Sequence, residues 1–187
     1  MTKRLYIAYG SNLNLRQMAM RCPTAQLVGT GEVRDYELQF KGAPYGAFAT
    51  ICAKEGAAVP VAVWSLQNRD EKVLDIYEGV KAGHYFKKEI PVQLGDQTKL
   101  ALVYIMNPEA QFGIPTQRYY NAVLEGYENC KLDPHILNRA VDESIAAFRQ
   151  AEAQKRTCIS LLDGFGSWEQ LEEAPTDELG FDGQMHL

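Results

Sequence analysis

Short apolar segments separated by brief turns dominate residues 25–106, and they constrain the fold more than any other feature of the sequence. The segments have the alternating or continuous apolar pattern of β-strands, and they are 25–40, 47–53, 59–66, 85–94 and 99–106. Gly42–Gly46 predicts a loop, Lys54–Gly56 a break between two strands, and Gly95-Asp96 a hairpin turn. Because hairpins join antiparallel neighbours, this pattern excludes a doubly wound parallel sheet.

Helical patterns flank and interrupt these strands. The predicted helices are residues 15–21 capped by Asn12 or Asn14, a short helix capped by Asn68 or Asp70, residues 117–129 after the cap Thr116, and a helix from Pro134 that continues as a polar tail to Arg156. Gly79 lies where the end of the short helix favours glycine. With a first strand over 5–9, the order β-α-β-β-β-α-β-β-α-α predicts an α+β fold in which helices surround a mixed or antiparallel sheet.

Composition excludes several classes of function. A chain of 187 residues predicts one domain with a sizeable core. The formal net charge of −5 argues against binding to the phosphate backbone of nucleic acids. No segment has the length of a transmembrane helix, and the apolar run after Lys3 and Arg4 is too short for a signal peptide. We therefore expect neither a nucleic-acid partner nor a membrane.

The four cysteines, Cys22, Cys52, Cys130 and Cys158, are widely separated. They form no Cys-x-x-Cys pair and have no paired histidine spacing, so a zinc site is not expected. Free buried thiols in a reducing compartment are the simplest interpretation, which predicts a cytoplasmic protein.

The segment that includes Tyr9-Gly10-Ser11-Asn12-Leu13 is the first candidate for a binding site. Here an apolar strand ends at residues that favour turns, and a helical pattern follows. A loop of this kind can direct backbone N–H groups at a carboxylate or phosphate. It can also be a capped turn without a ligand, and the local sequence alone favours that alternative.

A second motif, Leu74-Asp75-Ile76-Tyr77-Glu78-Gly79-Val80, precedes Tyr85. Together with the Tyr-Gly-Ser-Asn-Leu segment it resembles the gamma-glutamylcyclotransferase-like family over roughly the first 130 residues. The resemblance implies a small barrel-like sheet and an enzyme, without metal or cofactor, that releases 5-oxoproline from a small γ-glutamyl amine or peptide. The alternative is a non-catalytic module that binds a small anionic metabolite in the same pocket.

The resemblance also implies the roles of individual residues. Glu78 matches the catalytic glutamate, a general base and acid, and residues 9–13 match the turn that binds the substrate. Tyr85 and Tyr119 match tyrosines that line the pocket, although the adjacent Tyr120 makes the second assignment uncertain by one position.

The position of Glu78 adds a physical argument for that role. Glu78 lies at the predicted C-terminal end of a helix, and Asp75 is one turn earlier. The helix dipole, this like charge and any burial should all raise the pKa of the Glu78 carboxyl. Ser11 as a nucleophile is the competing idea, but it lacks a Gly-x-Ser-x-Gly setting and a histidine base.

The sequence divides into a gamma-glutamylcyclotransferase-like domain at 1–150 and a C-terminal extension at 151–187. In the extension, residues 161–166 form an apolar patch broken by glycine, and Ser167 with Gln170 resembles a capping box for a short helix before a loose acidic tail. The extension could cover the pocket, dock a partner subunit as in a homodimer, or have no visible role.

Overall fold

The computed structural model describes residues 3–164 and confirms the α+β class. Its strands are β1 (Arg4–Ala8), β2 (Gln26–Ala43), β3 (Gly46–Leu66), β4 (Tyr85–Leu94) and β5 (Gln97–Met106). Its helices are α1 (Leu15–Arg21), α2 (Asn68–Tyr77), α3 (Gln117–Asn129) and α4 (Pro134–Gly164), with 3₁₀ turns at Ser11–Leu13 and Val80–Ala82.

The five strands form a closed barrel in the order β1-β3-β2-β4-β5. Neighbouring strands are antiparallel except β5 and β1, which pair in parallel at Tyr6 and Leu102 and close the barrel. The sheet is therefore mixed, as expected. Alternate side chains of the strands are buried, including Ile7, Val63 and Leu102, none of which is exposed to solvent.

The predicted break at Lys54–Gly56 is wrong, because 47–53 and 59–66 belong to one strand, β3. The register against β2 shifts there, so that residues 54–57 lie opposite the single residue Asp35. Asp35 and Gly56 both have positive φ, and the Gly56 N–H donates to Asp35 Oδ1 at 2.9 Å. A bulge of this kind bends a strand without ending it.

Side-chain caps fix where the helices begin. Asn14, one of the two candidates, caps α1 by accepting a hydrogen bond from the Gln17 N–H at 3.1 Å. Thr116 caps α3 as expected. The cap of α2 is neither Asn68 nor Asp70 but Gln67, with which Asp70 completes a capping box.

Helix α4 is longer than the sequence pattern indicates, since it continues beyond Arg156 to Gly164. Gly164, which the sequence pattern predicts to break an apolar patch, is therefore part of a helix. The chain divides into compact units after Gln150, within this helix. The predicted short helix at Ser167–Gln170 and the acidic tail lie outside the described residues. No helix within residues 3–164 has both the length and the apolar character needed to cross a bilayer.

Close packing between α3 and the first 3₁₀ turn positions the turn. At Gly126 of α3, an added Cβ would lie 2.6 Å from Leu13 Cβ and 2.7 Å from the Asn14 backbone nitrogen. Glycine thus lets the helix backbone contact the turn directly. Any larger residue must displace one of the two.

Candidate active site

A cavity of about 740 Å³ lies between the first 3₁₀ turn, the end of α2, the start of α3 and the barrel. All predicted site residues except Leu13 line it: Tyr9, Gly10, Ser11, Asn12, Glu78, Tyr85 and Tyr119. The two motifs, far apart in sequence, therefore contribute to one site. Its volume is within the range of pockets that bind small molecules.

Leu13 has a different position from its neighbours. Its side chain is fully buried in the core, and its N–H donates to the Gly10 carbonyl at 2.9 Å. The Asn14 N–H likewise donates to the Ser11 carbonyl at 3.2 Å. Leu13 thus anchors the turn in the core, and the four residues before it line the cavity.

Glu78 is the residue immediately after α2, as the sequence predicts, and the local backbone fixes where it lies. The next residue, Gly79, has a left-handed conformation with φ of 62°, and its N–H donates to the Ile76 carbonyl at 3.1 Å. A Cβ at Gly79 would lie 2.6 Å from the His84 ring. Glycine at this position lets the chain turn sharply, so that the Glu78 side chain enters the cavity.

Asn12 joins the turn to Glu78. Its amide Nδ2 donates to Glu78 Oε1 at 3.0 Å and to the Tyr6 hydroxyl at 2.8 Å. Its amide Oδ1 accepts from Arg21 Nη1 at 2.6 Å. All hydrogen-bonding atoms of this buried amide are therefore engaged, and its orientation is defined by its partners.

Burial raises the pKa of Glu78 to about 7, from an ordinary value of 4.5. The positive charge of Arg21 and the hydrogen bond from Asn12 act in the opposite direction. The sequence predicts the direction of this change but assigns part of it to Asp75. In the structure Asp75 is occupied elsewhere, because its Oδ1 accepts from the Tyr104 hydroxyl at 2.7 Å and lies 3.1 Å from Lys87 Nζ.

Tyrosines form much of the cavity wall. The Tyr85 hydroxyl donates to the Ala49 carbonyl at 2.9 Å, and the Ala49 N–H donates to the Tyr119 hydroxyl at 3.2 Å. Tyr9 donates to the carbonyl of Tyr104 at 2.5 Å. Burial raises the pKa of Tyr9, Tyr85 and Tyr119, so these hydroxyls stay neutral near pH 7. The neighbouring Tyr120 instead donates to Asn138 Oδ1 at 2.7 Å and does not line the cavity.

Sequence reasoning missed several residues of the cavity. The cavity or its hydrogen-bond network also includes Arg21 from α1, Tyr6 from β1 and Tyr104 from β5. His84 lines the cavity as well. The α1 pattern gives a basic residue in its last turn, but the partners of Arg21 depend on how α1 packs against α2. No sequence signal specified that packing.

The described part of the chain offers no cluster of three or more His, Cys, Asp or Glu side chains suited to a metal ion. Each cysteine is unpaired there, with Cys22 and Cys130 buried, Cys52 partly buried and Cys158 exposed. Burial thus applies to two of the four thiols, whereas the sequence pattern predicted it for all.

Comparisons with known proteins show which sequences and structures this chain resembles. The model of the AIG2-like family matches residues 58–136. Gamma-glutamylcyclotransferase from Bos taurus is 32% identical over 130 residues, which cover 64% of this chain and 67% of that protein. The Homo sapiens gamma-glutamylcyclotransferase is 27% identical over 129 residues, covering 65% of this chain and 69% of that protein.

A solved structure of a gamma-glutamyl cyclotransferase superimposes with a TM-score of 0.69 at 26% identity, covering 74% of this chain and 86% of that chain. On the evidence of sequence and fold, the chain belongs to the gamma-glutamylcyclotransferase-like family.

Proposed function

We propose that this protein releases 5-oxoproline from a γ-glutamyl amine or peptide, with Glu78 as general base and acid. The observation that carries the proposal is the position of the Glu78 carboxyl, which has a pKa of about 7 and faces the same cavity as the turn at residues 10–12. A group with a pKa near the working pH can accept a proton and return it.

In the proposed reaction the substrate supplies both reacting groups. Its α-amine attacks its own γ-carbonyl carbon, a C–N bond closes the five-membered ring, and the C–N bond to the leaving amine breaks. The α-nitrogen gives up two protons, one before the attack and one as the ring closes. Glu78 accepts them in turn and returns each to the leaving nitrogen, which departs as an ammonium ion. Since nucleophile and electrophile belong to one molecule, holding the substrate in a ring-closing pose supplies a large proximity advantage, and no enzyme nucleophile is required.

The turn at residues 10–12 is the proposed anchor for the α-carboxylate of the substrate. It offers backbone N–H groups and the Ser11 hydroxyl, whose oxygen lies 3.2 Å from Arg21 Nη1. The guanidinium adds positive charge beside the anchor, which favours a bound anion. Ser11 has no hydrogen bond to a histidine among the described residues, so the arrangement supports an anchoring serine rather than a nucleophilic one.

Neutral tyrosine hydroxyls complete the proposed site. Tyr85 and Tyr119 are tied to the carbonyl and N–H of Ala49, which holds their rings against the cavity. The Tyr119 hydroxyl only accepts at Ala49, so its proton can be donated to the oxygen that becomes negative when the γ-carbonyl is attacked, whereas the Tyr85 hydroxyl already donates to the Ala49 carbonyl. Because burial raises the pKa of both groups, they would not compete with Glu78 as bases near pH 7.

The cavity is large enough for a leaving group beyond the glutamyl half. Glutathione, γ-glutamyl amino acids, γ-glutamyl-lysine and a γ-glutamyl-protected biosynthetic intermediate are the candidate substrates. Incubating the purified full chain with such a library, and measuring 5-oxoproline by mass spectrometry, tests the function. We expect release from at least one member and none from the same compound acetylated on its α-amine.

Two results would contradict the proposal. Release of free glutamate in place of 5-oxoproline would indicate hydrolysis by water. Binding of a γ-glutamyl compound with no release from any member would favour the non-catalytic binding module.

A further inference from the structure

We propose that Arg21 is a positioning residue, which fixes the amide of Asn12 so that its NH₂ group faces Glu78. The inference rests on the proposed function for its catalytic consequence, because the positioning affects the reaction through Asn12 and Glu78. The positioning itself is a property of the folded protein and can be measured without a substrate.

The guanidinium of Arg21 connects three segments that are separate in the sequence. Its Nη1 donates to Asn12 Oδ1 at 2.6 Å and to Ser11 Oγ at 3.2 Å in the first 3₁₀ turn. Its Nη2 donates to Gln17 Oε1 at 2.6 Å on α1 and to the Tyr77 hydroxyl at the end of α2. The guanidinium carbon also lies 3.8 Å from the centre of the Tyr77 ring. Arg21 thus holds the turn beside the residue that precedes Glu78.

The chemistry of the amide explains why this contact matters. A guanidinium can only donate hydrogen bonds, so it requires the oxygen of the Asn12 amide to face it. The NH₂ group must then face the opposite side, where it donates to Glu78 and to the Tyr6 hydroxyl. Without Arg21 the amide could rotate by half a turn and direct its oxygen at the Glu78 carboxylate, which would repel it.

The charge of Arg21 acts on Glu78 as well. Its hydrogen-bond partners within the described residues are all neutral oxygens, and no carboxylate there lies within salt-bridge distance of it. A positive charge without a carboxylate partner stabilises the ionised form of a nearby acid. Arg21 therefore opposes the effect of burial on Glu78 in two ways, by its charge and through Asn12.

Other titratable groups line the cavity together with Glu78, and they come from the elements around it. They are Tyr6 and Tyr9 at β1, Tyr77 on α2, His84 before β4, Tyr85 on β4, Tyr104 on β5, Glu109 after β5 and Tyr119 on α3. Burial raises the pKa of Tyr6, Tyr9, Tyr85, Tyr104 and Tyr119, so these five are neutral over the working range. Arg21 supplies the positive charge that favours ionisation of Glu78.

The test replaces Arg21 by glutamine and compares it with Arg16→Gln as a matched control. Arg16 is an exposed residue of the same helix, so its loss removes the same charge without touching Asn12. Titrating the ¹³C-labelled glutamate carboxyls by NMR, with the Glu78 signal assigned from Glu78→Gln, gives the pKa of Glu78 directly. We expect Arg21→Gln to raise it by about one pH unit and Arg16→Gln to leave it unchanged.

The pH dependence of kcat/KM provides a second readout on the same variants. Glu78 must be ionised to accept a proton. The acidic limb of the kcat/KM profile should therefore move to higher pH in Arg21→Gln, by the same amount as the pKa of Glu78. A purely structural role would lower kcat/KM at every pH and leave the limb in place. An unchanged Glu78 pKa in Arg21→Gln would overturn the proposal.

If Arg21→Gln does not fold, Arg21→Lys serves in its place. Lysine keeps the positive charge but cannot contact the turn and Tyr77 at the same time, so we expect a smaller rise in the Glu78 pKa; no rise would again overturn the proposal. The NMR titration also separates the two claims. A shifted pKa with no 5-oxoproline from any compound would support the positioning role and contradict the proposed reaction.

Discussion

Asn12 Nδ2 lies 3.0 Å from Glu78 Oε1, and this hydrogen bond joins residues 66 positions apart in the sequence. One residue belongs to the turn after β1, and the other ends α2. The bond therefore brings the proposed anchor for the substrate and the proposed base into one cavity. It also stabilises the charged form of a carboxyl that burial would otherwise keep protonated.

Replacing Asn12 by aspartate tests that hydrogen bond with almost no change in shape. A carboxylate in place of the amide NH₂ group repels ionised Glu78, so the pKa of Glu78 should rise by about one unit. We expect kcat/KM at about pH 7 to fall about tenfold and to recover in part at higher pH. The matched control is Asn121→Asp at an exposed position of α3, for which a pH profile like that of the wild type is expected. An unchanged profile for Asn12→Asp would contradict the assignment.

The raised pKa of Glu78 predicts how stability depends on pH. Between the unfolded value of 4.5 and the folded value of about 7, the folded protein holds a proton that the unfolded chain releases. The free energy of unfolding should therefore fall as the pH rises through this window. Glu78→Gln has no carboxyl at this position to titrate, so its stability should not show this fall. Between about pH 4 and about pH 8 we expect the difference in free energy of unfolding between Glu78→Gln and the wild type to shift by about 2 kcal/mol in favour of the variant, a figure reduced for partial exposure of the carboxyl.

Urea unfolding at both pH values measures this difference. Glu128→Gln is the control, since Glu128 is exposed on α3 and lies outside the cavity. A pH-dependent gain of the same size in both variants would show that the effect does not come from the burial of Glu78.

Several features of the fold could be predicted from the sequence because the signals for them are local. Thr116 caps α3, Gly79 ends α2, and Gly95-Asp96 joins β4 to β5, each for a reason contained in a few residues. The merging of 47–53 with 59–66 into β3 was not predicted, because a bulge and a true break both place glycine and charged residues in a strand. Only pairing with β2, which continues on both sides of Asp35, separates the two cases.

Prediction of the site from the sequence was limited in the same way. The two motifs located Glu78 and the turn, whereas Arg21 and Tyr104 enter through packing between distant elements. The raised pKa of Glu78 was predicted in direction, but its main cause is burial, which depends on the whole fold. Asp75, one helical turn away, has its own partners in Tyr104 and Lys87.

Tyr119 and Tyr120 offer a matched pair of variants. Tyr119→Phe leaves the Ala49 N–H without its acceptor inside the structure, which should lower the free energy of unfolding by about 1 kcal/mol and kcat/KM by about tenfold. Tyr120→Phe removes only an exposed hydrogen bond to Asn138, so both quantities should stay near the wild-type values. Equal losses of kcat/KM in the two variants would contradict the placement of Tyr119 at the substrate.

Gly79 and Gly95 provide a second pair, because both have positive φ. An alanine at Gly95 meets no atom within 4 Å, whereas at Gly79 it would lie 2.6 Å from the His84 ring. Both variants should lose about 1 kcal/mol of stability from the left-handed backbone. Only Gly79→Ala should also lower kcat/KM, since it displaces the end of α2 beside Glu78. Kinetics and denaturation of both variants measure this, and full activity in Gly79→Ala would contradict it.

The most direct measurement is the rate at which Glu78→Gln forms 5-oxoproline from the best substrate of the wild-type protein, with binding followed by calorimetry and Glu128→Gln as the control. Glutamine keeps the shape of the side chain and can still face Asn12, but it cannot accept the proton. We expect the rate to fall by at least about 100-fold while the substrate still binds, and Glu128→Gln to match the wild type. A Glu78→Gln protein that turns over at the wild-type rate would contradict the account.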